Sequence, residues 1–336
     1  MIIGLTYDLR HEYLAMGYSE AETAEFDRTD TVDALEHTLR GLGHEPARIG
    51  NARQLTKRLV DGERWALVFN IAEGLNGIGR EAQVPAILDL YGIPYTFSDP
   101  LVMCLTLHKG MTKRVIRDAG LATADFKIIE SRADLEGVTF PPPIFVKPAA
   151  EGTGRGISPQ SIVRNREDLK GVCESLLAEF RQPVLVERFL PGREFTVGIT
   201  GTGPDARVLG TMEIILLDHA EKEVYSYVNK KKYEDLVTYR LVGPEADAAV
   251  RKAEELSLAS WKILGCRDGG RIDIRCDENG EPCFIEVNPL AGLHPEHSDL
   301  PILCSHLGIP YVGLIEQILA SALKRIQPNE GRRPCA

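Results

Sequence analysis

The chain has 336 residues, 43% hydrophobic and 26% charged, and a formal net charge of −10. Such a length supplies two or three cores, the composition is that of an ordinary globular protein, and the acidic surplus argues against nucleic acid and anionic membrane surfaces as partners, since the basic run Lys230-Lys231-Lys232 is too short to reverse it. The seven cysteines are scattered and form no Cys-x-x-Cys pair, no signal-peptide pattern opens the chain, and no apolar run approaches the ~20 residues of a membrane span, so a cytoplasmic protein with small-molecule partners, no nucleic acid and no membrane is expected.

In chain order, the apolar opening over residues 1–7 predicts a buried strand that ends in a polar loop. Thr29-Asp30 starts a helix with Val32, Leu35 and Leu39 on one stripe and a stop at Gly41 and Gly43. A short strand near 46–49, a helix over 54–60 and the apolar run 65–71 complete βαβ logic with a parallel strand covered on both faces. After the loop 73–79 comes a helix over 81–90, a return to strand at 92–96, and helical stretches from Pro100 through Leu107 and over 111–119. The second unit reads as a strand at 124–130, a short helix at 131–136, a strand at 144–147 entered through Pro141-Pro142-Pro143, a strand near Ile162, a helix over 166–180 and a strand over 184–188. Strands at 194–200, 207–216 and 224–227 follow, then a helix over 246–264 ending at Gly265, a hairpin, and a last helix over 312–326. The fold class is α/β (α+β), with a small doubly wound α/β domain over 1–103, a second unit over 104–188, a third over 189–328 and a frayed tail over 329–336.

The hairpin carries the most chemistry. Asn279-Gly280 between two apolar runs is a hairpin signal, and alternation puts Arg271 and Asp273 on one face and Glu286 and Asn288 on the matching face of the return strand, opposite Ile285 and Val287. Carboxylates and an amide oxygen are hard ligands suited to Mg²⁺, and a neighbouring guanidinium suits a phosphoryl group. An exposed polar sheet face explains the same alternation. The loop Glu151-Gly152-Thr153-Gly154-Arg155-Gly156 follows the strand bearing Lys147, so backbone N–H groups and an ammonium could meet an anion, although a glycine-rich loop beside a chance lysine explains it about as well. It is not a P-loop, and no Gly-x-Gly-x-x-Gly follows the first strand. Glu187-Arg188-Phe189-Leu190, then Pro191-Gly192-Arg193-Glu194, reads either as a linker that meets an adenine and a ribose or as a simple turn. His294-Pro295-Glu296-His297 lacks the partners of a zinc site.

As an ordered set, Lys109, Val146-Lys147-Pro148, the glycine loop, Val186 through Thr196, Gly270-Arg271-Ile272-Asp273 and Ile285-Glu286-Val287-Asn288 resemble the ATP-grasp ligases, and in order and spacing the D-alanine–D-alanine ligase family, over nearly the whole chain. The resemblance implies ATP and Mg²⁺, as two ions with Mn²⁺ as a substitute, amino-acid substrates and a homodimer. It implies that Lys109, Lys147 and Lys230 contact phosphates, with Glu151, Thr153 and Gly154 in the loop above them. Glu187, Arg188, Phe189 and Leu190 would meet adenine, and Glu194 ribose. Asp273, Glu286 and Asn288 would hold the metal, Arg271 would stand at the reacting centre, and Gly292 and Ser298 would face the acceptor. The family's His-Gly-x-x-Gly-Glu-Asp-Gly stretch is replaced by Asn70 through Gly77, its Asp-Lys pair by His108-Lys109, and Lys231 stands where a tyrosine is usual. The N-terminal Ser-x-Glu-x-x-Val-Ser pattern is missing, with Glu22 or Glu25 as its replacement. The expected activity is carboxylate–amine ligation through an acyl phosphate. The alternatives are a ligase of secondary metabolism with a mycosporine-like acceptor and an inactive ATP-binding regulator.

Overall fold

A computed structural model of the protein describes residues 1–221 and 223–326; the expected tail at 329–336 and the Lys231 side chain lie outside the described residues. The first unit is built on β1 (Ile2–Thr6), α1 (Arg10–Ala15), α2 (Thr29–Gly41), β2 (Glu45–Gly50), α3 (Ala52–Val60), β3 (Leu67–Asn70) and α4 (Gln83–Leu90). Its strands pair in parallel in the order β2-β1-β3, and β3 is buried along its whole length because helices cover both faces. Val32, Leu35 and Leu39 of α2 point into this core as their spacing predicts. Asn51 and Gln54 form a reciprocal capping box at the start of α3. Residues 92–96, expected as a strand, contribute only an isolated bridge from Tyr95 to Val68.

The helical pair α5 (Pro100–Leu107) and α6 (Lys109–Asp118) leads onward, and the boundary drawn at 103/104 falls inside α5. β4 (Phe126–Ile129), β5 (Ile144–Pro148), β6 (Ile162–Val163), α7 (Leu169–Phe180) and β7 (Val184–Arg188) form a four-stranded antiparallel sheet in the order β4-β7-β5-β6 with α7 against it. The third unit contains β8 (Glu194–Thr200), β9 (Arg207–Leu216), α8 (Tyr227–Lys231), α9 (Tyr233–Leu236), β10 (Val237–Val242), α10 (Ala248–Leu264), β11 (Gly269–Cys276), β12 (Pro282–Asn288), α11 (Asp299–His306) and α12 (Tyr311–Lys324). Its strand order is β10-β9-β8-β11-β12. The core of the first unit runs on into α12 through Leu314, Ile315, Ile318 and Leu319, which fixes the first and third units against each other.

Two departures from the sequence reading affect the site. Residues 224–227 are not a strand: Ser226 Oγ accepts the Asn229 N–H at 3.2 Å and starts α8, while the buried Asn229 amide donates to the carbonyls of Glu221 and Val224 at 2.9 and 2.7 Å. β10 pairs with β9 instead. The hairpin also carries a register shift, with Asp273 opposite Glu286 but Ile274 opposite Phe284. Ile285 is therefore not held to the far face as strict alternation requires, and it lines the cleft beside Glu286.

Candidate active site

The two larger sheets face each other across a cleft of about 620 Å³, whose walls include Phe145 and Lys147 of β5, Glu187 and Arg188 of β7, the linker residues Phe189 and Leu190, Glu194, Asp273 and Glu286. A second cleft of about 680 Å³ runs from Glu286 and Asn288 past Lys109, Glu151, Thr153 and Gly292 to a wall made by Glu25, Glu73 and Glu81. A third, about 1020 Å³, is lined by Thr153, Lys230, Arg271, Gly292 and Ser298 together with three tyrosines. Glu286 is shared by the first and second clefts, Arg271, Thr153 and Gly292 by the second and third, and Lys230 by the first and third. Five of the predicted residues, Thr153, Lys230, Arg271, Glu286 and Gly292, thus join the three clefts into one seam. Gly154 belongs to the loop but lines none of the three clefts.

Charge is tightly organised at this seam. Lys109 opens α6, where its Nζ donates to the Glu151 carbonyl at 2.5 Å and lies 3.2 Å from the Glu286 carboxylate. Burial alone would favour protonated Glu286, but Lys109, Lys147, Lys230 and Arg271 outweigh it and hold its carboxyl well below the usual range. Asp273 is ion-paired with Arg271 and accepts the Thr196 hydroxyl at 3.0 Å; burial still leaves its carboxyl raised, with Arg271 opposing. Glu194 is likewise raised by burial, against the pull of Arg275. Asp273, Glu286 and Asn288 lie on alternate pairs of one hairpin, Asp273 opposite Glu286 and Asn288 opposite Arg271, and the buried Asn288 Nδ2 has no hydrogen-bond partner among the described residues. Two carboxylates and an amide oxygen fit a hard divalent cation, which would favour the charged form of Asp273. Gly270 lets the strands close here, because a Cβ at that position would stand 2.5 Å from the Asn288 carbonyl oxygen and 2.9 Å from the Trp261 ring.

Several partners escaped the sequence reading. Lys113, one helical turn after Lys109, is fully buried, and Glu187 bridges it to Lys147 at 2.7 and 2.8 Å. Burial opposes ionisation of Glu187, yet the two ammonium groups pull its carboxyl down to about 2. Its side chain therefore holds the lysines from behind. Arg275 sits 5.1 Å from the Phe189 ring centroid and 3.2 Å from Glu194. Arg188 turns outward to Glu278 at 2.7 Å. Glu25 accepts from the Gly152 N–H at 2.6 Å and from Arg80 at 2.7 Å, while Arg80 also donates to the Ala150 carbonyl at 3.0 Å. Of the two glutamates offered for the N-terminal loop, Glu25 reaches the glycine loop; Glu22 bonds Ser19 at 2.7 Å. Glu73 and Glu81 are raised by burial, Glu81 to about 7. The helical spacing of Lys109 and Lys113 was the one local signal for any of these.

The sequence model described as D-ala D-ala ligase C-terminus matches residues 115–320. The D-alanine–D-alanine ligase of Bordetella petrii is 32% identical over 251 residues, 74% of each chain. That of Actinobacillus pleuropneumoniae serotype 5b is 35% identical over 290 residues, 85% of this chain and 90% of that one. The crystal structure of D-alanine–D-alanine ligase from Bacillus anthracis complexed with ATP shares the fold with a TM-score of 0.72 at 22% identity, covering 96% of this chain and 98% of that one. These likenesses favour ligation over both the mycosporine-type acceptor and the inactive regulator. The chain belongs to the D-alanine–D-alanine ligase family, has its ATP-grasp fold, and is an ATP-dependent, ADP-forming ligase.

Proposed function

We propose that the protein activates the carboxylate of a first small amino acid with ATP and joins it to the amine of a second, with D-alanine in both places as in the names of its relatives. The observation that carries this reading is the gathering of Lys109, Lys147, Lys230 and Arg271 around Glu286, which lines both the first and the second cleft. The linker Glu187 to Leu190 takes the adenine in the first cleft and Glu194 the ribose, with Lys109, Lys147, Lys230 and the backbone around Thr153 and Gly154 on the phosphates. Asp273, Glu286 and Asn288 would hold Mg²⁺, as two ions with Mn²⁺ as a substitute, which would neutralise charge on the β- and γ-phosphate oxygens.

The second cleft receives the donor amino acid, with its ammonium towards Glu25, Glu73 and Glu81 and its carboxylate towards Arg271. The donor carboxylate attacks the γ-phosphorus and ADP leaves, giving an acyl phosphate that the acceptor amine captures from the third cleft beside Gly292 and Ser298. No side-chain nucleophile is needed, because positioning and fixed charge do the work. ADP release dependent on D-alanine, with a dipeptide identified by mass, tests this. Binding of Mg·ATP with no ADP release for any pair of small amino acids would overturn it. Lys147→Ala and Glu286→Gln should each suppress ADP formation by about 10² or more. A homodimer and a cytoplasmic location belong to the same reading, and sedimentation velocity and cell fractionation test them.

A further inference from the structure

The acceptor amine arrives near neutral pH as an ammonium, which has no lone pair. A proton must leave it before it can attack a carbonyl carbon, so the third cleft needs a group to take that proton beside the reacting centre. Asp299 is the one carboxylate among the described residues that line this cleft. It stands in the first turn of α11, directly after Ser298, and its side chain is only 13% exposed. One oxygen lies 3.6 Å from Arg271 Nε, and the other accepts the Tyr239 hydroxyl at 3.5 Å. That hydroxyl is in turn 2.6 Å from the Tyr225 hydroxyl. Arg271 reaches Asp273 on the metal-ligand face with the other end of its guanidinium, so Asp299 sits one side chain away from the phosphoryl end of the site.

Among the described residues, the charged and titratable groups that share the cleft with Asp299 are Arg271 from β11, Tyr239 from β10, Tyr225 and Lys230 from the segment between β9 and β10, Tyr233 from α9, His297 from the loop before α11, and Arg10 from α1. Arg10, Lys230 and Arg271 are cations and repel an ammonium. His297 also lines the cleft, but its Nδ1 is engaged by the Tyr233 hydroxyl at 3.0 Å and its ring stacks on His294 with centroids 4.4 Å apart. Asp299 therefore combines the right charge, access to the cleft and nearness to Arg271.

We propose that Asp299 is the proton acceptor for the incoming amine. The Asp299 carboxylate accepts a hydrogen bond from the acceptor ammonium and takes its first proton. The freed lone pair forms the C–N bond to the acyl carbon, and the C=O π electrons move to oxygen. When they return, the C–O bond to phosphate breaks with its electron pair on the phosphate, and the second nitrogen proton goes to that departing oxygen. Asp299 then returns its proton to water through the open cleft. This rests on the ligase reading above and adds the group that makes the acceptor nucleophilic.

Asp299→Asn tests it, because the amide keeps the shape and cannot take the proton. Two acceptors are compared with D-alanine as donor. D-Alanine enters as an ammonium, whereas hydroxylamine is largely unprotonated near neutral pH and captures an acyl phosphate as the hydroxamate without a base. In the variant, dipeptide formation should fall about 10² to 10³-fold, hydroxamate formation should match the parent, and the dipeptide deficit should shrink as pH rises and free amine becomes available. Equal loss of dipeptide and hydroxamate would overturn the proposal, since Asp299 would then act by holding Arg271. Undiminished dipeptide formation would overturn it too. A parent protein that makes neither product would instead remove the ligase reading on which it rests.

Discussion

Glu187→Gln removes a single negative charge from a buried cluster whose other members, Lys113 and Lys147, stand 2.7 and 2.8 Å from its two oxygens. The Glu187 carboxyl titrates at about 2 in the folded protein against an ordinary 4.5, a depression that corresponds to about 3 kcal/mol of folding stability by linkage. A lowered carboxyl pKa means that the contribution is fully present above the unfolded value and vanishes as pH falls through the folded one. Independently, removing one partner of a buried ion pair costs about 3 to 5 kcal/mol, because the remaining charge is left without compensation. The two routes agree in size. Urea unfolding of parent and variant over a pH series is the assay. The gap in unfolding free energy should be complete above pH 4.5 and close as pH approaches 2, the interval set by the two titration points. Because one Glu187 oxygen also orients Lys147, the variant should need more ATP for half-maximal ADP release. Equal stability of the two proteins above that interval, or a gap that does not change across it, would refute the reasoning.

Gly270→Ala should lower stability by about 1 to 3 kcal/mol, since overpacking a tight site forces backbone or ring shifts; the new Cβ would meet the Asn288 carbonyl oxygen at 2.5 Å and Trp261 at 2.9 Å. A lower melting temperature together with a higher Mg²⁺ concentration for half-maximal ADP release is the expected pair of results, and an unshifted Mg²⁺ requirement would separate the packing from the metal face. Arg275→Met keeps length but loses the 3.2 Å contact to Glu194, the 2.9 Å bond to the Glu223 carbonyl and the stacking over Phe189. About 1.5 kcal/mol for a charge-assisted contact predicts roughly tenfold weaker ATP binding by calorimetry with little change in kcat.

Lys147, Asp273, Glu286 and Asn288 were legible because each lies on a strand, where alternation alone decides which face a side chain takes. The structure places all four on the walls of the first and second clefts, and the same rule failed only at Ile285, where a register shift has no glycine or proline to announce it. The groups that hold those residues in place were not legible. Lys113 finds Glu187 74 positions away, Arg80 finds Glu25 55 away, and Arg271 finds Asp299 28 away, pairings that only the packed units create. The third cleft was obscured for a different reason. Tyr225 reads as part of a strand by its neighbours Val224 and Tyr227, but Ser226 and the buried Asn229 hydrogen-bond the backbone locally and turn the segment into an irregular wall. Local polar bonding overrode β propensity there and placed Tyr225 beside Tyr239 and Asp299.

This division follows the chemistry. A triphosphate and its metal demand a fixed set of cations and oxygen ligands, and strands present four of the proposed ones, Lys147, Asp273, Glu286 and Asn288, at a regular spacing in the sequence. In the proposed reading, acceptor recognition is left to loops and short helices, α1, α8, α9 and the turn before α11, whose side chains become neighbours only after folding. The carboxylate of Asp299 is an instance: adjacent to Ser298 in sequence it is one more acid at a helix start, and only the packing of α11 on β8 and β9, beside β11, sets it 3.6 Å from Arg271. Substitutions in this cleft should therefore change which amines are captured and how fast, while ADP formation with hydroxylamine as acceptor continues to report on the strand-borne half alone.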